Sequence, residues 1–285
     1  MKILRCCVAL ALCALSAQAQ NWPSFRGPQA SGVGQGSAPT VWDAEKSVNI
    51  VWKTKIGGLA NSSPIVWGDR VFVSTAISQE ANPTFRTGDY GDVDSVESKA
   101  EYVWKVVALD KGTGKILWER EVYKGVPKVK RHLKSSHANP TPATDGKHLV
   151  VSFGSQGLYC FDLDGKLLWK KDLGVLDAGY FFDPSYQWEF GSSPVLYKNL
   201  VFVQVDVQKG SFVAAFDLKD GREVWRTQRD EIPSWATPGV FETEKGPLLV
   251  TNATNTSKAF ELRFVDLPSR SRTRFRVSIW NSSKR

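Results

Sequence analysis

Short apolar runs separated by turn residues dominate the chain from about residue 50 to residue 255. Val71-Phe72-Val73, Leu149-Val150-Val151 and Leu200-Val201-Phe202-Val203 are typical. Runs of this length, rich in β-branched and aromatic residues, predict strands, and no segment carries a continuous helical period. Four of the runs follow a Ser/Thr-Pro start: Ser62-Ser63-Pro64, Thr141-Pro142, Ser192-Ser193-Pro194 and Thr237-Pro238. Each start leads into two short strands around a turn such as Gly68-Asp69 or Asp145-Gly146. Proline is tolerated there because its missing N–H falls outside the ladder.

A second pattern follows the first three starts. Ala108-Leu109-Asp110 runs through Gly114 to Trp118. Cys160-Phe161-Asp162 runs through Gly165 to Trp169, one residue shorter. Ala215-Phe216-Asp217 runs through Gly221 to Trp225. The tryptophans are 51 and 56 residues apart. Asp followed by Gly predicts a capped tight turn, and the strand after it carries the tryptophan. Each unit therefore predicts four short antiparallel strands in about 50 residues, the size of a propeller blade. One blade cannot bury both of its faces, so neighbours must stack. The fold class expected is all-β, a β-propeller of four-stranded antiparallel blades, with an incomplete ring of about four to five blades.

The motif Ala-x-Asp-x-x-Thr/Asp-Gly-x-x-x-Trp resembles the tryptophan-docking motif of the pyrroloquinoline-quinone-type β-propellers. The opening Asn21-Trp22-Pro23-Ser24-Phe25-Arg26-Gly27-Pro28 is similar to the start of secreted bacterial proteins with such propellers, including the BamB-like family. The resemblance implies that Ala108, Gly114, Trp118, Cys160, Gly165, Trp169, Ala215, Gly221 and Trp225 dock one blade on the next. It also implies one of two functions. A non-catalytic scaffold would bind other cell-envelope proteins and need no cofactor. A quinoprotein dehydrogenase for alcohols or sugars would hold PQQ with Ca2+. Fold alone does not choose between them.

The residues favour the scaffold. The one adjacent cysteine pair, Cys6-Cys7, lies in the N-terminal leader, and no calcium-loop motif is present. No phosphate loop and no Gly-x-Ser-x-Gly elbow occurs. His132 and His137 lack the further ligands zinc needs, so Arg131 to Asn139 reads as a blade-connecting loop. Asp183, Trp188 and Glu189 form either a binding rim or a packed inter-blade loop. Residues 78 to 101 form an acidic excursion that interrupts a blade, a candidate interaction loop. Polysaccharide binding is a third class left open.

Composition and charge sharpen the boundaries. Residues 1–19 read as a signal peptide: Lys2 and Arg5, an apolar stretch from Cys7 to Leu15, and Ala17-Gln18-Ala19 before the cleavage point. Cys13 is the only candidate for a lipid anchor, with a large Leu12 before it. Secretion to the periplasm or association with the outer membrane follows, with no transmembrane segment. Residues 20–48 are a lead-in, 49–255 the repeats, and 256–285 an atypical basic tail. The net charge is +8. Lys2 and Arg5 carry two of those charges and the last 23 residues six, so residues 20–262 are balanced. That removes the nucleic-acid reading a basic chain invites. An eight-blade ring needs roughly 400 residues. After Thr256 the Asp-Gly turn is lost and Trp280 stands without the motif. The expectation is a truncated or frame-shifted member of a longer family.

Overall fold

The computed structural model describes residues 21–80, 85–86, 94–265 and 274–281. Residues 1–20, where the expected signal peptide falls, and most of residues 81–93 lie outside them. Among the described residues are four four-stranded antiparallel sheets, each a simple meander. Sheet 1 comprises Ile65–Trp67, Arg70–Ser78, Tyr102–Asp110 and Ile116–Gly125. Sheet 2 comprises Ala143–Thr144, His148–Ser152, Leu158–Asp162 and Leu167–Lys171. Sheet 3 comprises Val195–Tyr197, Leu200–Val205, Phe212–Asp217 and Glu223–Gln228. Sheet 4 comprises Gly239–Phe241, Leu248–Asn252, Ser257–Val265 and Arg274–Asn281. No helix of the described residues is long and apolar enough to cross a membrane.

The middle strands of sheets 2 and 3 are buried on both faces, which is why they read as unbroken apolar runs, whereas Leu248–Asn252 of sheet 4 buries alternate positions. Side chains alternate across a strand, so one strand serves two interfaces. Leu149 and Val151 pack with Phe72, Trp104 and Ala108 of sheet 1. Val150, between them, packs with Val201, Val203 and Phe216 of sheet 3. Phe202, Val213 and Ala215 in turn meet Leu249 and Phe260 of sheet 4. Cys160, fully buried in this packing, has a thiol pushed up to about 12, chiefly by burial.

Docking tryptophans fasten these interfaces. Trp118 Nε1 of sheet 1 donates to the Leu163 carbonyl of sheet 2 at 3.0 Å. Trp169 Nε1 of sheet 2 donates to the Leu218 carbonyl of sheet 3 at 2.7 Å. Each indole lies on the glycine of the receiving turn. At Gly165, with φ +81°, a Cβ would stand 2.8 Å from the Trp118 ring, so the contact and the turn both require glycine. Gly221 receives Trp169 in the same way. Asp162 builds its turn by accepting from the Asp164 and Lys166 N–H groups. Opposite each tryptophan stands the small residue of its motif: Ala108 faces Trp118, Cys160 faces Trp169 and Ala215 faces Trp225.

Two features extend the pattern. Trp52 Nε1 donates to the Lys111 carbonyl at 2.7 Å, and its ring lies on Gly114. It docks on sheet 1 as Trp118 docks on sheet 2. At the other end, strands continue past Thr256. Ser257–Val265 and Arg274–Asn281 complete sheet 4, with Trp280 in register opposite Ala259. The segment separated as a basic tail by its charge thus supplies two paired strands. The turn motif is absent there, but an alternating strand pattern survives its loss.

A hydrogen-bond relay joins the Ser/Thr-Pro starts. Ser63 N–H donates to Thr141 Oγ1 at 3.0 Å, Thr141 N–H to Ser193 Oγ at 2.9 Å, and Ser193 N–H to Thr237 Oγ1 at 3.0 Å. The residue before each proline is held extended, which turns its N–H toward the next sheet. The lead-in crosses the first strands of several sheets. Trp22 exchanges both backbone hydrogen bonds with Val66, the Pro23 carbonyl accepts from Thr144 N–H, and the 3-10 turn Pro28–Ala30 lies against Gly239–Phe241.

Two outcomes follow. Thr141→Val removes the acceptor for Ser63 N–H at nearly constant shape, and urea unfolding should show a loss of about 1–3 kcal/mol. Cys160 should resist alkylation at pH 8 in the native chain and react fully in denaturant, as read by mass spectrometry.

Candidate functional site

The loops that follow the outer strands gather on one side of sheets 2 and 3. Gln187 ties three of them together. Its side-chain oxygen accepts from Lys130 N–H at 2.9 Å, its amide donates to Asp177 Oδ2 at 2.9 Å, and its carbonyl accepts from Ser95 Oγ at 2.8 Å. Ser95–Val96 comes from the acidic excursion and pairs with Arg131–His132. The excursion is therefore anchored at its end to the histidine loop.

On this frame stands a row of aromatic rings. Tyr180 stacks on Trp188 with centroids 5.8 Å apart and planes at 27°. Trp188 continues to Trp235 at 5.7 Å, and His132 meets Trp188 edge-on at 5.6 Å. Trp235 Nε1 is fixed by the Glu189 carbonyl at 2.7 Å, and its ring covers Gly191. Beside the row, Phe182 is 74% exposed, Phe181 41% and Trp235 39%. Large aromatics left this open on a fixed surface mark recognition rather than core packing.

Beneath the row lies a buried polar pair. His137 Nδ1 and Glu189 Oε2 are 2.5 Å apart, with both side chains almost fully out of solvent. Burial pushes the Glu189 carboxyl above its ordinary range, and His137 and the buried Arg131 pull it back down. Trp104 Nε1 donates to the His137 carbonyl at 2.8 Å. Glu189 sits at φ +68°, a left-handed conformation that side chains with a Cβ seldom adopt. Held strain of this kind gathers at functional positions.

The residues singled out from sequence divide accordingly. His132 and Trp188 join the aromatic row. His137 and Glu189 pair inside the protein, so they line neither a top-surface loop nor a rim. Asp183 is exposed; its carboxyl is lowered by hydrogen bonds from Ser185. Among the described residues, no group of three or more His, Cys, Asp or Glu side chains is placed to hold a metal ion. Sequence reading missed Trp52, although Ile50-Val51-Trp52-Lys53 repeats the form of Ile116-Leu117-Trp118-Glu119. It also missed Trp235 and the His137–Glu189 pairing, which spans 52 positions and has no local signal.

A family model described as outer membrane protein assembly factor BamB matches residues 104–253. Among solved structures the chain is similar to a europium-containing methanol dehydrogenase, at 16% identity and TM-score 0.44, over 74% of this chain and 32% of that one. It is similar to quinohemoprotein alcohol dehydrogenase from Comamonas testosteroni, at 16% identity and TM-score 0.44, over 75% and 28%. It is also similar to BamB from Moraxella catarrhalis, at 15% identity and TM-score 0.38, over 73% and 60%. The chain thus spans about a third or less of the length of these dehydrogenases and 60% of that BamB. Comparison with curated proteins gives no match.

Glu189→Ala would leave His137 buried without its carboxylate. Removing one partner of a buried pair costs roughly 3–5 kcal/mol. Urea unfolding of the variant should show a loss of that size.

Proposed function

The chain belongs to the family of the outer membrane protein assembly factor BamB, and from that membership we propose that it is a protein-binding scaffold of the cell envelope. The observation that carries this reading is the aromatic surface at Tyr180, Phe181, Phe182, Trp188 and Trp235. Aromatic side chains offer large contact area at low entropic cost, and they are the residues that dominate protein interfaces. The frame under them is rigid, since Gln187 and Glu189 fix the loops by hydrogen bonds. A surface held in advance loses less on binding than one that must be ordered. The leader at residues 1–19 supports delivery to the envelope. The partner proposed is a component or client of outer-membrane protein assembly.

The quinone-dehydrogenase alternative finds less support. Ca2+ takes six to eight oxygens, and among the described residues no three His, Cys, Asp or Glu side chains are grouped to hold a metal ion. Cys160 is buried and unpaired with another cysteine.

A photo-crosslinking residue in place of Phe182, in cells that make the full chain, should capture an outer-membrane assembly protein. Phe181→Ala combined with Phe182→Ala should weaken that complex by about tenfold or more. Stability should change little, as at most surface positions. Capture that is absent, or indifferent to the double substitution, would overturn the reading.

A further inference from the structure

The His137–Glu189 pair does not end at histidine. On the other side of the ring, Nε2 lies 3.3 Å from Ser98 Oγ. Ser98 Oγ in turn lies 3.2 Å from the Tyr102 hydroxyl. The imidazole is held edge-on to Tyr102, with centroids 4.9 Å apart. Buried polar chains usually serve structure alone. This one reaches the wall of an open cleft of about 460 Å3. Ser98 lines that cleft together with Glu97, Lys99, Lys128, Lys130 and Gln187.

We propose that Ser98, His137 and Glu189 form a hydrolytic triad for carboxylic esters that carry a negative charge. The order of contacts is the one nucleophilic catalysis requires: a hydroxyl within reach of a base, and the base oriented by a third group. Glu189 as a carboxylate accepts from Nδ1–H, which leaves the Nε2 lone pair facing Ser98. Burial raises the Glu189 carboxyl, and His137, the Phe190 N–H and the buried Arg131 oppose that by favouring the ionised carboxylate. A distance of 3.3 Å is slightly long for proton transfer, as it often is before substrate is bound. The cleft has the volume of a small-molecule site. Lys130 pairs with Glu97 and Lys128 with Asp172, and Lys99 is the cation that remains on the cleft wall to favour an anionic substrate.

The chemistry balances without a further reactant except water. Ser98 Oγ attacks the ester carbonyl carbon, and its proton passes to His137 Nε2. The bond from carbon to the leaving oxygen breaks, and that oxygen takes the proton as an alcohol. Water then attacks the acyl-serine, again giving a proton to His137. The Ser98–acyl bond breaks, the proton returns to Ser98 Oγ, and a carboxylic acid leaves. The Tyr102 hydroxyl, 3.2 Å from Ser98 Oγ, helps hold the serine hydroxyl in place. Glu189 is a positioning residue, since it acts only through His137. Glu189 and Gln187 serve both this site and the frame of the aromatic row, so Ser98→Ala, outside that frame, is the variant that separates this activity from the proposed partner binding.

The test uses the purified full chain and a fluorophosphonate probe, followed by peptide mapping. A single adduct on Ser98 is expected, together with turnover of a p-nitrophenyl ester bearing a terminal carboxylate. Ser98→Ala should abolish the adduct and lower turnover by at least about 1000-fold, with the circular dichroism spectrum unchanged and melting lowered by only a few degrees. Glu189→Gln keeps the hydrogen-bonding shape and should lower kcat by about 100-fold or more while KM stays constant. A purely structural role predicts no adduct. A wild-type chain that stays unlabelled while a reference serine hydrolase labels fully would overturn the proposal. So would an adduct confined to Ser135 or Ser136, or turnover that Ser98→Ala leaves intact.

Discussion

The contact on which the rest depends is the indole of one sheet donating to a carbonyl in the turn of the next. Four-stranded sheets of this size leave both faces apolar, and a slip of one residue between neighbours would expose those faces to water. Trp118 on Gly165 and Trp169 on Gly221 prevent the slip, because a hydrogen bond fixes position along the strand while the ring fills the space a Cβ would take. Trp52 on Gly114 shows the same joint in front of the first sheet. The relay of Ser63, Thr141, Ser193 and Thr237 then fixes the other end of each sheet. Between two such points a sheet has little freedom to rock, and loops mounted on it inherit that rigidity.

The fold was legible because its determinants are local and repeated. An Asp-Gly turn, a small residue and a tryptophan sit within eleven positions, and three copies make the spacing readable. Trp52 escaped because it occupies its strand without the preceding turn. In sheet 4 the register alone carries the pattern, with Ala259 opposite Trp280. The site was legible only in its pieces. His132, His137, Trp188 and Glu189 stand out as residue types, but nothing local says that His137 goes inward while His132 stays with the rings. That sorting is made by contacts across sheets, such as Glu189 reaching His137 over 52 positions.

Burial and exposure divide the labour on this side of the molecule. The Glu189 carbonyl holds the Trp235 ring outside, and the Glu189 carboxylate holds His137 inside. One residue in a strained conformation therefore sets both an apolar surface and a polar interior. Membership of the BamB family and the aromatic surface agree with a scaffold. The polar interior is a separate resource that a scaffold does not need, which is why its arrangement stands out.

The lead-in has a consequence in time. Contacts within and between neighbouring sheets span about 50 residues, so each can form soon after its own stretch of chain is made. The turn at Pro28–Ala30 instead rests on Gly239–Phe241, across about 200 residues. Closing so long a loop carries the largest entropic cost among these contacts, and it slows folding in proportion to the share of such contacts. The first folded residues of the chain are therefore among the last to find their place. Until then the Gly239–Phe241 edge of sheet 4 remains open, and that interval is when a chaperone or an edge-pairing neighbour has access to it.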